Sequence, residues 1–210
     1  MPHIILLGDS IFDNAAYTQG NPDVISQLRL KLPENWNTTL KAIDGNCIND
    51  VYAQLENLPP DASHLFISVG GNDALSCQDI LDQQVASSSE VFSNLADLSK
   101  QFEQQYQKLL QKVLSIGLLT TTCTIYNPSF PDEMYQKIAV TALTIFNDAI
   151  IRQAFQAGIP LIDLRLTCNE ARDYANPIEP SSIGGEKIAN VIMNVVLEHD
   201  FQKHHTQVFY

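Results

Sequence analysis

Ser10 stands three residues beyond an apolar run, Ile4–Leu7, within the segment Gly-Asp-Ser-Ile-Phe-Asp-Asn. A serine on the turn that leaves a buried strand is displayed at the sheet edge, where it suits a nucleophile. If that turn opens a helix, its own backbone N–H also points at a developing oxyanion. Two other segments offer donors to the same charge. Gly45 follows a second run, and a glycine permits positive φ and close backbone approach, so its N–H can donate. Asn72, in Gly70-Gly71-Asn72-Asp73, brings a side-chain NH₂. Three donors converging from neighbouring loops make an oxyanion hole, which stabilises the tetrahedral intermediate of acyl transfer. Each segment alone is also ordinary turn chemistry. Their combination is what points to a site.

Residues so far apart in sequence need a scaffold that brings several loops to one edge. Five apolar or β-branched runs read as buried strands: Ile4–Leu7, Thr38–Ile43, Leu65–Val69, Leu118–Ile125 and Pro160–Leu164. Helical patterns lie between them. In Glu90–Leu114, Val91, Leu95, Leu98, Phe102, Tyr106, Leu109 and Val113 step by three or four and fill one face. A second helix is predicted from about Pro131 to Ala157. A third begins after Ser181-Ser182, with Ser182 as the expected N-cap, and runs to about Glu198. Strands alternating with helices give a parallel sheet with right-handed crossovers. Such sheets bind ligands outside the carboxyl ends of their strands. The loops to examine are therefore those opened by Gly8, Asp44, Gly70 and Tyr126, and the stretch Thr167–Ser182.

Composition narrows the classes. The 210 residues suit a single domain, 1–210, with an irregular tail expected from about residue 200. Twelve Lys and Arg against 24 Asp and Glu give a net charge of −12, which argues against a nucleic-acid partner. No apolar stretch approaches the ~18 residues of a membrane span. Cys47, Cys77, Cys123 and Cys168 are widely spaced, which predicts free thiols and a cytoplasmic protein. No metal-ligand spacing and no dinucleotide or phosphate-loop glycine pattern occurs, so neither a metal nor an organic cofactor is expected. Nothing in the sequence sets the oligomeric state.

Together, Gly8-Asp9-Ser10, then Gly45, then Gly70-Gly71-Asn72-Asp73 resemble the blocks of the SGNH hydrolases, the GDSL esterase and lipase family. The resemblance implies a flavodoxin-like, three-layer α/β/α fold around a five-stranded parallel sheet. It also implies hydrolysis of a small-molecule ester or acyl substrate by a serine nucleophile, without a metal. One block departs from the pattern. The family's last block is Asp-x-x-His, and here the matching stretch is Asn176-Pro177-Ile178-Glu179-Pro180.

No histidine stands ready to substitute. His3 and His64 open strands, at the opposite edge of the sheet from the site loops, and His199 ends the last helix. His204 and His205 reach the site only if the tail folds back. Glu179 is therefore the expected base, with Asn176 orienting it through a hydrogen bond. A carboxylate near ~4.3 is a weaker base than an imidazole near ~6.5. Burial would raise Glu179, whereas the helix that follows would lower it, and the bland alternative is that Glu179 only stabilises that helix end. Asp13, Asp163 and Asp173 are minor candidates, Asp173 as a partial replacement for the missing Asp. Phe12, Tyr17, Leu75, Tyr126, Phe130 and Tyr174 follow strands and are expected to line an apolar acyl pocket, unless they are ordinary loop packing. A cysteine nucleophile at Cys47, Cys77 or Cys168 lacks a neighbouring histidine to form the thiolate. The sequence thus predicts a serine esterase with an altered base. The alternative is a catalytically weak or inactive protein of the same fold that binds a carboxylate or acyl ligand.

Overall fold

Strand β1 (His3–Gly8) is buried along its whole length. Ile4 and Leu6 enter one hydrophobic core, and Ile5 and Leu7 enter a second. A strand covered on both faces needs an unbroken apolar run rather than an alternating one. The computed structural model describes residues 2–210. After β1 come α1 (Val24–Lys31), β2 (Asn37–Leu40), α2 (Val51–Gln54), β3 (His64–Ser68), α3 (Gly71–Leu75) and α4 (Ser88–Leu114). Then follow β4 (Leu119–Cys123), α5 (Glu133–Ala157), β5 (Leu161–Ile162), α6 (Leu164–Thr167), β6 (Tyr174–Asn176), β7 (Glu179–Pro180), α7 (Ser182–Glu198) and β8 (Val208–Phe209).

The main sheet has the order β2-β1-β3-β4-β5-β8, and every pairing in it is parallel. The first core joins the sheet to α1 and α7 through Val24, Leu28, Ile188, Ile192 and Val195. The second joins it to α2, α4 and α5 through Val51, Phe102, Tyr106, Leu109, Ile150 and Ala154. The result is the expected three-layer α/β/α arrangement. Helix α5 has the length and apolarity to cross a membrane. Its Phe146, Ala149, Ile150 and Ala154 are instead packed in the second core.

The sheet has six strands, not five. The tail expected to be irregular supplies β8, which covers the otherwise open edge of β5. Leu161 N donates to Gln207 O at 3.0 Å, and Asp163 N to Phe209 O at 2.8 Å. His199 anchors the tail by edge-to-face packing on Phe201, with ring centroids 4.7 Å apart, and on Phe209 at 6.1 Å. Helix α7 is capped by Ser181 rather than Ser182. Ser181 Oγ accepts from Ile183 N and Gly184 N, whereas Ser182 Oγ donates to Pro22 O.

Candidate active site

Gly8 ends β1 at φ +128°, and an added Cβ there would sit 1.7 Å from the Ser68 carbonyl oxygen. Only glycine lets β1 and β3 approach so closely before the chain turns. The turn is closed by Phe12 N and Asp13 N on Asp9 O, and by Ile11 N on Asp9 Oδ1. Ser10 is therefore on a single hydrogen-bonded turn, not at the N-terminus of an α-helix, and α1 begins only at Val24. The turn leaves the Ser10 N–H unused and keeps the side chain at the cavity wall, 6% exposed.

Gly45 takes φ +81° in the loop after β2. Its neighbours are committed: Asp44 N donates to Asp13 Oδ2, and Asn46 N to Ile43 O. The Gly45 N–H between them stays uncommitted. Asn72 lies in the first turn of α3 and lines the cavity beside Ser10. One of its amide hydrogens goes to Asn46 O at 2.9 Å. The second remains for a ligand. Asp73 turns the other way and accepts from Ile48 N.

Glu179 is brought to Ser10 by a feature not foreseen from the sequence, the antiparallel β6–β7 pair. The Tyr126 hydroxyl fastens this hairpin by donating to Ile178 O. The Tyr174 hydroxyl shares its one hydrogen between Asn127 O and Cys168 O, each at 2.8 Å. Glu179 is 7% exposed and lines the same cavity as Ser10, whose side chain is near enough to temper its pKa. Its Oε2 is buried with no hydrogen-bond partner. Burial raises its pKa to about 7; the Ser10 interaction opposes that rise, and the Asp44 charge adds to it. The first-turn donors of α7 are taken by Ser181 Oγ, so Glu179 is not the helix cap.

Asp9 was not singled out as a titrating group by the sequence. It is 3% exposed at the cavity wall, and burial lifts its pKa to about 8, with Glu179 and Asp73 adding repulsion. Two carboxyls that resist ionisation therefore flank Ser10. The signal available was an Asp next to the nucleophile, directly after a strand buried on both faces.

Several expected contributors are elsewhere. Asn176 is exposed, and its Oδ1 accepts from Ile178 N at 2.9 Å, so it shapes the hairpin turn rather than orienting Glu179. Asp163 caps α6 and pairs with Arg165 at 2.6 Å. Asp173 is fully buried and accepts from Asn169 N, Glu170 N and Lys187 Nζ. Asp13 holds the Asp44 backbone. His3 bonds Asp61 and Thr39, His64 bonds Ser63, and His199, Phe201 and His205 pack together at the tail. No described histidine lines the cavity. Burial pushes the Cys47 thiol up to about 11 and the Cys168 thiol up to about 12, which disfavours a thiolate at either.

The cavity extends from Ser10 between the sheet edge and the overhanging first halves of α4 and α5. Leu95 and Leu98 of α4, Leu143 and Phe146 of α5, and Ile80 and Ile125 make its wall apolar. Of the expected lining residues, Leu75, Tyr126 and Phe130 are present. Phe12 is fully buried in the first core, the Tyr17 hydroxyl bonds Asp44 at 2.6 Å, and Tyr174 packs edge-on against Tyr126.

A model of the GDSL-like lipase/acylhydrolase family matches residues 6–184. An acetyl xylan esterase, AlAXEase, superposes with a TM-score of 0.68 at 20% identity, covering 92% of this chain and 99% of that one. A member of the lipolytic protein G-D-S-L family from Veillonella parvula superposes at 0.69 and 18% identity, covering 95% and 100%. Phospholipase A1 from Streptomyces albidoflavus superposes at 0.66 and 13% identity, covering 92% and 98%. These likenesses establish the shared fold. No curated protein sequence matches the chain.

Proposed function

Because the chain belongs to the GDSL-like lipase/acylhydrolase family, we propose that it hydrolyses esters with a serine–glutamate pair in place of the serine–histidine pair. The observation that carries this reading is Glu179, buried against Ser10 with a pKa near 7 and one carboxylate oxygen unpartnered. A base works best when its pKa lies near the operating pH. Burial thus gives this carboxylate the basicity that an exposed one lacks.

In the proposed reaction, Ser10 Oγ attacks the ester carbonyl carbon as Glu179 takes the hydroxyl proton. The carbonyl π bond opens, and its oxygen becomes an oxyanion held by Asn72 Nδ2 and the N–H groups of Ser10 and Gly45. The intermediate collapses, the C–O bond to the alcohol breaks, and Glu179 returns the proton to the departing oxygen. Water then attacks the acyl-serine, again giving its proton to Glu179, and Ser10 leaves with that proton as the acid is released. The apolar wall formed by Leu95, Leu98, Leu143 and Phe146 receives the acyl group.

The second reading is a catalytically weak or inactive protein that binds a carboxylate or acyl ligand in the same cavity, where the raised pKa values of Asp9 and Glu179 leave protonated carboxyls able to donate to it. The four free thiols support the further reading that the protein works in a reducing, cytoplasmic compartment. The test is hydrolysis of short p-nitrophenyl esters by the native chain and by Ser10→Ala. Loss of turnover on removing Ser10 supports the esterase reading. Equal, slow rates for both would abandon it for a ligand-binding protein.

A further inference from the structure

Gln54, at the end of α2, belongs to none of the sequence blocks and makes no contact with the cavity, yet it is wired to three of them. It is 4% exposed. Its Oε1 accepts from Gly8 N at 2.7 Å, and its Nε2 donates back to Gly8 O at 2.7 Å. The same Nε2 donates its second hydrogen to Asn46 Oδ1 at 2.8 Å. Asn46 in turn offers its carbonyl oxygen to Asn72 Nδ2 at 2.9 Å. One amide side chain therefore clamps both polar groups of the glycine that opens the nucleophile turn. Through Asn46 it also reaches the amide that faces the substrate.

We propose that Gln54 is the positioning residue of the oxyanion hole, fixing Asn72 through Asn46 while it holds the Ser10 turn through Gly8. The proposal rests on the reading of Ser10 and Asn72 as catalytic. An asparagine amide can present either its NH₂ or its oxygen to a site, and only the NH₂ stabilises an oxyanion. The Asn46 carbonyl accepts hydrogen bonds and cannot donate one, so it selects the orientation with Nδ2 inward. That selection works only if the Asn46 carbonyl is itself held, and Gln54 holds the side chain of Asn46. Every donor and acceptor of the Gln54 amide in this chain has a partner, as a buried network requires. A hydrophobic residue of the same length would fill the space while losing the orientation.

The test combines kinetics with a direct observation of Asn72. Gln54→Met keeps the volume. Asn46→Ala breaks the same connection at a half-exposed position and covers the case in which Gln54→Met fails to fold. With p-nitrophenyl esters, Gln54→Met is expected to lower kcat by about 10- to 100-fold while changing KM less than threefold. Asn46→Ala, which cuts only the branch to Asn72, should lower kcat less than threefold further when added to Asn72→Ala, because both substitutions act through the Asn72 amide. A full multiplicative loss in the double variant would show an unrelated structural lesion and overturn the proposal, as would native kcat in Gln54→Met and Asn46→Ala. Independently of turnover, the Asn72 side-chain NH₂ resonances are followed by NMR in a Ser10→Ala background. Shifted resonances and faster amide exchange in Gln54→Met support the proposal, and an unchanged pair overturns it. If those resonances move while native protein shows no Ser10-dependent turnover, the esterase reading falls and the coupling of Gln54 to Asn72 stands.

Discussion

Asn14 donates from Nδ2 to the Pro180 carbonyl oxygen at 3.2 Å, tying the segment that follows Ser10 to the strand that carries Glu179. Its Oδ1 accepts from Val24 N at 2.9 Å, and the residue is fully buried. The holding role expected of Asn176 thus falls to an asparagine 162 positions earlier in the chain, across the first core. Asn14→Ala strands the Val24 N–H and the Pro180 carbonyl together. The expected cost is about 1–3 kcal/mol of unfolding free energy, with a drop in kcat/KM larger than the lost folded fraction explains. Denaturant titration and ester kinetics on the same samples check both parts. Native stability in the variant would contradict the assignment.

The readable parts of the site were those whose physics is local. Gly8-Asp9-Ser10 and Asn72 follow strands buried along their length, Gly45 follows the half-exposed edge strand β2, and a strand end followed by a glycine turn shows in the sequence as a run and a break. Asn14, Gln54 and Asn46 act through contacts 166, 46 and 26 residues away. A polar residue in a loop or short helix carries no sign of such a partner. Phe12 and Tyr174 looked like pocket walls because they follow strands, but core packing claimed the first and a hairpin anchor the second. The β6–β7 pair was missed because its strands are only three and two residues long. β8 was missed for the same reason, since two residues cannot show a period.

Burying Asp9 and Glu179 fixes how stability responds to pH. Their ordinary values, 3.8 and 4.5, rise to about 8 and about 7 in the fold. Between roughly pH 4 and pH 8 these two groups therefore hold more protons in the native state than in the unfolded chain, a trend that buried His64, whose pKa is lowered, partly offsets. Stability falls as pH rises through that window, by up to about 1.4 kcal/mol per pH unit for each proton involved. Asp9→Asn keeps an acceptor for Ile11 N and removes one titrating group. Its unfolding free energy, measured by urea titration at pH 5, 6, 7 and 8, should decline less steeply than that of the native protein. Parallel lines would contradict the burial argument.

The apolar wall sets the acyl preference. Each buried methylene is worth about 0.8 kcal/mol, so kcat/KM should rise about fourfold per added carbon until the chain reaches the end of the cavity. Leu143→Trp, placing a larger ring on the α5 side, should shift the best p-nitrophenyl ester to a shorter acyl chain and leave the acetate rate within a few-fold of native. An unchanged chain-length profile would put the acyl group elsewhere.

The most direct measurement is the pH profile of kcat/KM for a short p-nitrophenyl ester, taken for the native chain and Glu179→Gln with Ser10→Ala as the blank. The native profile should rise as Glu179 loses its proton, with a limb near pH 7. Glu179→Gln should lack that limb and fall by about 10²–10⁴, towards the Ser10→Ala level. A Glu179→Gln variant that retains both the native rate and the limb near pH 7 would contradict the assignment of Glu179 as the base that activates Ser10.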